Sequence, residues 1–376
     1  MHANNDQPLV SAIIPAFNAA AVIERSVRSV IAQTYPQIEI LVVDDGSQDE
    51  TGSIVKALAA EDNRIKLLTQ ENKGVSAARN LGIRNSSGEY VAPLDADDIW
   101  LPEKIEKQVE VFRASPATVG VVYTYSERIF EDGRPSVFSG STEEGFVFFP
   151  LLVGNFLQNA STPLIRRRCL DDVGTYSLEY RESNAQGCED WDIYLRLAER
   201  YEYRVVNEYL TGYWQTTGSM SADWKLMDRS YRLLMDGVRK RHPDIPAYVF
   251  RWSRSNYLLY LAHRAAHADE VLSSMQLLGR AIFTDQFLIS NRRLQRLVAK
   301  NLLHMIRGNK PAAPEAVNRK PIAEESDRAV RNVAARGIWG ARLKQRNKLL
   351  VKLKKEFGNA WVSASNDRNS GSVGGV

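Results

Sequence analysis

Cysteine is scarce here. Two residues, Cys169 and Cys188, in a chain of 376 cannot build a disulfide framework, so a stapled secreted scaffold is excluded and a reducing, cytoplasmic setting is expected. Long apolar runs are missing as well, and none approaches the ~20 residues that cross a bilayer. Met1 to Pro8 is polar and lacks the basic and apolar regions of a signal peptide. Glycine is absent from one telling place. After the first apolar run the chain reads Pro15-Ala16-Phe17-Asn18, so neither a dinucleotide Gly-x-Gly-x-x-Gly turn nor a Walker loop is present. Histidine numbers five. His263 and His267 sit four apart on a helical stretch but lack the Glu of a zinc-protease motif and read as solvated surface. No Ser or Cys pairing looks like an activated nucleophile.

Positive charge is confined to one end. The net charge is +4, yet Arg328 to Phe357 holds ten Lys/Arg and one acid, and nothing net follows, so the first 327 residues carry −5. A basic nucleic-acid surface over the body is excluded, and no nucleic-acid partner is expected. The composition, 44% hydrophobic and 25% charged, fits one large domain with an appendage, or two domains.

What is present begins with alternation. Leu9 to Ile14 is a β-branched apolar run ended by Pro15, and reads as a buried strand. Asn18 to Gln33 carries Val22, Ile23, Val27, Val30 and Ile31 at helical spacing. Ile38 to Val43 is a second strand, ending in Asp44-Asp45-Gly46-Ser47; Asp49 or Thr51 caps the next helix. Ile65 to Leu68 is a third strand, and Val75 to Arg84 a third helix. Tyr90 to Leu94 is a fourth strand, which runs into Asp95-Ala96-Asp97-Asp98. A helix starting near Pro102 follows, with Asp98 as its cap. Four strands alternating with three helices predict an α/β domain with a mainly parallel sheet covered on both faces. Its crossovers are right-handed. Farther on, 119–125 and 161–167 read as extended, 130–145 as a loop or hairpin, 170–176 as a short helix and 177–188 as irregular. Glu189-Asp190-Trp191 then opens an amphipathic helix.

Two strand ends now present acids on one sheet edge, where open α/β folds bind ligands. Either cluster alone is also explained by a turn that caps a helix. Together, at equivalent places, they point to a nucleotide. Two carboxylates ~4 Å apart repel by about 4 kcal/mol at an effective dielectric of 20. A divalent cation removes that cost and leaves positions open for phosphate oxygens.

Five segments in one order resemble the family-2 glycosyltransferases with the GT-A fold. They are Ile13 to Asn18, Val42 to Ser47, Gly74-Val-Ser-Ala-Ala-Arg79-Asn80, Leu94 to Asp98 and Glu189-Asp190-Trp191. The resemblance covers roughly residues 9–221 and implies an inverting transfer of sugar from a nucleotide-sugar donor, usually a UDP-sugar. It places Pro15, Ala16, Phe17 and Asn18 beside the nucleotide and Asp45 on the base. Arg79 becomes a further nucleotide contact, although an Arg there is also read as an exposed helix residue. Asp95 and Ala96 fall at the ribose or sugar, and Asp97 binds Mn2+ or Mg2+. Asp190 is the general base. Glu189 and Trp191 are acceptor-side candidates, with solvation and packing as their plainer readings. One departure stands out: Thr216 takes a place where many relatives carry a His that adds to the metal site. The Gln-x-x-Arg-Trp signature of processive membrane synthases is absent, so single addition is expected.

The expected domains are 1–225, a helical appendage 226–307, and a tail 308–376. The appendage shapes the acceptor side or forms a homodimer contact. In the tail, Trp339, Leu343, Leu350, Leu353 and Phe357 fall within about 80° of a helical wheel, flanked by Lys and Arg. That is a basic amphipathic helix for an anionic membrane, or one docked on its own body, or disorder. The acceptor is a sugar or lipid-linked hydroxyl of cell-surface polysaccharide or glycoconjugate assembly. Two other functions fit the sheet: a sugar-phosphate nucleotidyltransferase, which needs a phosphate loop not found here, and a non-catalytic nucleotide-sugar scaffold.

Overall fold

A computed structural model describes residues 7–130, 135–137, 140–215, 223–307 and 352. Thr216 and the stripe 339–357 as a whole therefore lie outside the described residues. In chain order the first unit holds β1 Val10–Ala16, α1 Ile23–Ile31, β2 Ile38–Asp44, α2 Thr51–Glu61, β3 Ile65–Thr69, α3 Val75–Arg84 and β4 Tyr90–Pro93. Strand β1 pairs in parallel with β2 and β4, and β2 with β3. This is the alternation expected from the sequence, with β1, β2 and β4 wholly buried. Pro15 does not end β1, which runs on through Ala16. The backbone of Ile13 faces β4, since its carbonyl accepts from Leu94 N–H at 2.9 Å. Pro15 faces the same way, but β4 pairing stops at Ile13, so no ladder bond is lost.

Past Asp98 the expected helix is delayed. Ile99–Trp100 forms β5, antiparallel to a distant strand, before α4 Lys104–Arg113. Then come β6 Val119–Phe130, β7 Pro135–Val137, α5 Phe148–Val153, β8 Leu164–Arg166, α6 Arg167–Val173, α7 Glu179–Glu182, α8 Glu189–Ala198 and β9 Glu202–Gln215. The sheet order is β3-β2-β1-β4-β8-β6-β9-β5, with β7 paired to β6 as a hairpin. Strand β8 is antiparallel to both neighbours, while β6 and β9 run parallel. The 177–188 stretch is not wholly irregular, because α7 lies within it.

Contacts divide the chain into two units: Met1–Val147 with Asn155–Ser219, and Phe148–Gly154 with Met220–Val376. In the second unit α9 Trp224–Arg241, α10 Ala247–His267, α11 Val271–Thr284 and α12 Arg292–Arg307 pack together, with a 3-10 turn Gln286–Ser290 before α12. Tyr231 and Tyr257 stack at 4.2 Å between ring centres, and Asp228 pairs with Arg232 and Arg254. Helix α5 belongs to this unit and packs on α10. No described helix is long and apolar enough to cross a membrane.

Candidate active site

The parallel pairing of β1, β2 and β4 delivers Ala16, Asp44 and Pro93 to one edge. The loops leaving that edge hold one another. Asn18 N–H donates to Ser47 Oγ at 3.0 Å and Asn18 Oδ1 accepts from Gln48 N–H at 2.9 Å. Ala19 N–H reaches Thr51 Oγ1 and Ala20 N–H reaches Asp49 Oδ2. Asp49 also accepts from Thr51 N–H at 3.0 Å, so it serves the first turn of α2 from just outside it. Pro15 and Ala16 are buried in β1, while Phe17 is 50% exposed and Asn18 sits at φ 47° on the rim.

Asp45 is 3% exposed, and both its oxygens are engaged. Oδ1 accepts from Gln70 Nε2 at 2.6 Å and Lys73 N–H at 2.8 Å, and Oδ2 from Gly74 N–H at 2.7 Å. A carboxylate has about four acceptor sites, so one remains for a ligand donor. Gly46 makes the turn possible. Its φ is +80°, and a Cβ there would stand 2.9 Å from the backbone nitrogen of Asn72.

The Asp95 to Asp98 loop is held from three sides. Arg25 Nη2, on α1, donates to the Asp97 carbonyl at 3.0 Å. Ser26 Oγ donates to the carbonyls of Asp98 and Asp95. Ser161 Oγ accepts from Asp95 N–H at 3.0 Å and donates to Asp98 Oδ2 at 2.6 Å. Asp98 Oδ1 accepts from Trp214 N–H at 3.0 Å. Asp98 is therefore a fully buried brace between this loop and β9, and does not cap α4, whose N-cap is Glu103. Burial, then the neighbouring Asp97 and Asp95, push the Asp98 carboxyl well above the usual range. Burial and Asp95 push Asp97 up to about 6, against the pull of Arg25. The Arg25 guanidinium also stacks 3.6 Å from the Trp214 ring centre.

Arg79 is not an exposed helix residue. It is 4% exposed, and its Nη2 donates to Asp95 Oδ1 at 2.5 Å. Its guanidinium carbon lies 5.1 Å from the centre of the Tyr176 ring. Next to it, Asn80 clasps the Tyr176 backbone, donating to its carbonyl at 2.8 Å and accepting from its N–H at 2.9 Å. Helix α8 starts against this cluster. Burial and the adjacent Glu189 push the Asp190 carboxyl up to about 7, with Arg79 and the bond from Trp191 N–H acting the other way and Asp95 adding to the rise. Glu189 is buried and its Oε2 accepts from Gly187 N–H at 2.6 Å. Trp191 is 3% exposed, so its ring is a packing element and offers no open face to an acceptor sugar.

The structure thus gathers Asp95 and Arg79 in direct contact, with Asp97 and Asp190 both within electrostatic reach of Asp95. Arg25, Ser26, Ser161, Trp214 and Tyr176 were missed from sequence. Only Ser26 left a signal: it is a polar residue inside the apolar stripe of Ile23, Val27 and Val30 on α1. Among the described residues no three His, Cys, Asp or Glu side chains could together hold an ion. The donors of the Asp95-Ala96-Asp97 turn are hard carboxylate oxygens. They fit Mg2+ or Mn2+ as a site completed by phosphate oxygens and water, and not as an all-protein cage.

Residues 11–176 match the family described as Glycosyl transferase family 2. An uncharacterized glycosyltransferase of Rickettsia prowazekii (strain Madrid E) is 34% identical over 217 residues, 56% of this chain and 63% of that one. The UDP-Glc:alpha-D-GlcNAc-diphosphoundecaprenol beta-1,3-glucosyltransferase WfgD of Escherichia coli is 47% identical over 107 residues, 28% of this chain and 42% of that one. The matched stretch spans less than two thirds of such curated relatives, from 17% to 63% of their length. A mannosyltransferase from Pyrobaculum calidifontis, solved in complex with GDP-Man and Mn2+, superposes with a TM-score of 0.50 at 19% identity, over 79% of this chain and 88% of that one. The shared sheet and helices are those of the GT-A fold. By these matches and the segments that carry them, residues 11–176 are similar to glycosyl transferase family 2.

Proposed function

We propose that the chain transfers a sugar from a nucleotide-sugar, of the UDP class, to an acceptor hydroxyl with inversion at the anomeric carbon. The observation that carries this reading is Arg79, bonded to Asp95 on the donor side and within charge range of Asp190 on the other. Asp45, the Pro15 to Asn18 turn and Arg79 bind and orient the nucleotide, and Asp95 with Ala96 faces the ribose or sugar. Asp97 would hold Mg2+ or Mn2+. A cation bound there supplies positive charge against a diphosphate leaving group, more in the transition state than before it. Asp190, pushed up to about 7, is matched to taking the proton of a weakly acidic hydroxyl near neutrality. The displacement breaks the bond from the anomeric carbon to the phosphate oxygen and forms one to the acceptor oxygen. The acceptor proton goes to Asp190 and the electron pair leaves with the diphosphate.

An acceptor in cell-surface polysaccharide or glycoconjugate assembly is supported by the likeness to WfgD, whose name specifies a diphosphoundecaprenol-linked acceptor. A peripheral membrane contact through 339–357 is supported by the sequence stripe alone. Asp190→Asn should retain UDP affinity within about twofold while transfer falls by roughly 10² to 10⁴. Isothermal titration with UDP and a donor screen for released UDP, each with Mn2+, measure the two. Full activity in this variant would sink the base assignment.

A further inference from the structure

The large apolar side chains left open gather on the last two described helices. Among the described residues ten are exposed, and six of them, Leu272, Phe283, Ile289, Leu302, Leu303 and Met305, lie on α11, α12 or the turn between them. The same stretch is poor in acid. Val271 to Arg307 holds six Lys or Arg and a single acid, Asp285, which is buried. Helix α12 has five of those cations and no acid. Its inward face is fixed by packing: Leu294, Leu297 and Asn301 are buried, and Asn301 Nδ2 donates to Ser274 Oγ of α11 at 2.8 Å. At about 100° per residue, Ala299, Leu302 and Leu303 span about 100° of the outward side, and Arg296, Lys300 and Arg293 the next 80° or so. All six side chains are exposed, Leu302 and Leu303 at 45% and 49%. One apolar face is enough to seat a helix on its own body. Helix α12 carries a second, edged with cations.

Charge decides what fits this face. A second copy joined about a two-fold axis sets the cations against themselves. Residues 328–357, with ten Lys/Arg and one acid, bring the same sign. A nucleic acid answers the cations but leaves the leucines in water. The surface of an anionic bilayer answers both, with phosphates for the cations and the acyl boundary for the leucines. We propose that the outward face of α12 is a docking surface for an anionic lipid bilayer, with Leu302 and Leu303 entering the acyl boundary and Arg293, Arg296 and Lys300 against the lipid phosphates. This surface belongs to the helical unit alone, beyond the transfer reaction, and neither Asp190 nor the 339–357 stripe enters it.

The test uses the full chain with Leu303→Cys, labelled with an environment-sensitive dye. The native Cys169 and Cys188 are buried, so the label reports position 303. Vesicles of equal parts phosphatidylcholine and phosphatidylglycerol should brighten the dye and shift its emission to the blue, and vesicles of phosphatidylcholine alone should not. Arg296→Gln with Lys300→Gln should weaken partition to the anionic vesicles by about fivefold for each charge removed, and added salt should weaken it too. Both side chains are exposed, so this variant should keep the wild-type melting temperature. Leu302→Ser with Leu303→Ser in the unlabelled chain should lower partition by about tenfold or more. Unchanged partition in the glutamine variant overturns the proposal, and so does an equal dye response to both lipids. If the chain sediments with anionic vesicles while the dye at 303 stays in water, another segment makes the contact and the proposal falls. A dye shift that grows with protein concentration in the absence of vesicles would mark a second copy as the occupant, which also overturns it.

Discussion

Charge at single residues is set by what each carboxylate accepts, and Glu39 shows this far from the site. Burial alone would raise its carboxyl, yet bonds from Ser87 N–H at 2.6 Å and Ser11 Oγ at 2.8 Å, with Lys66 at 3.0 Å, bring it down to about 2. A group depressed from about 4.5 to 2 stabilises the fold fully above the unfolded value and loses that contribution as pH falls through the folded one. The full effect is at most about 3 kcal/mol, at 1.36 per pH unit. Glu39→Gln should therefore lower stability by about 2 kcal/mol at pH 7, with the gap to wild type closing toward pH 2 in urea melts. A gap independent of pH would refute the linkage. Asp190 has the opposite sign. In the proposed role as base its deprotonated form is the active one, so that role predicts kcat/KM rising with pH through about 7. That limb should vanish in Asp190→Asn. Such residues were unevenly legible. Asp45, Asp95, Asp97 and Asp190 stand at strand or helix ends where composition changes sharply. The burial of Arg79, on α3, and of Trp191, on α8, depends on segments far apart in the chain coming together, which no local pattern reports.

Among elements, the loop between β4 and β5 depends on one buried acid. Asp98 accepts from Ser161 and Trp214 at once, and its carbonyl accepts from Ser26, so it joins α1, the segment before β8 and β9 to this loop. Asp98→Ala would leave the Ser161 O–H without its acceptor and the Trp214 N–H unpaired in the interior, at about 1–3 kcal/mol each. A loss of about 2–4 kcal/mol and a weakened UDP affinity are expected by melting and titration. The raised carboxyl means charge is not what this site requires. Asp98→Asn should therefore stay within about 1 kcal/mol of wild type. If the two substitutions cost the same, the brace is not a hydrogen-bonding device. The β1 to β4 alternation was readable because buried parallel strands leave continuous apolar runs. Strand β5 was not, since two residues, Ile99–Trp100, carry no period and gain their ladder only from Ile99 and Trp100 meeting Gly212 and Thr211 far along the chain. The same holds for β9, whose pairing to β6 shifts register near Thr124 and Tyr125.

At the scale of the molecule the division into units does not follow chain order. The sequence suggests a first domain ending near 225, but Phe148–Gly154 clusters with the C-terminal helices. The reason is visible in α5. Phe148, Phe149, Leu151 and Leu152 are all buried, Phe148 lies 5.1 Å from the His242 ring, and Asn256 Nδ2 donates to the Val153 carbonyl at 3.2 Å. A six-residue apolar helix has no period long enough to say which body it serves. Truncation at 225 removes α10 and with it the cover of α5. Four large apolar side chains would then meet water, at about 1.5–3 kcal/mol each, against a total stability on the order of 5–15 kcal/mol. Residues 1–225 alone should therefore bind a hydrophobic dye, aggregate on heating and melt well below the full chain. Analytical size exclusion and calorimetry decide the matter. A monodisperse 1–225 fragment with the melting temperature of the full chain would show that α5 is covered from within the first unit. Replacing Phe149 and Leu152 by polar residues should rescue the solubility of that fragment and destabilise the full chain, a reversal of sign that a merely unstable fragment would not give.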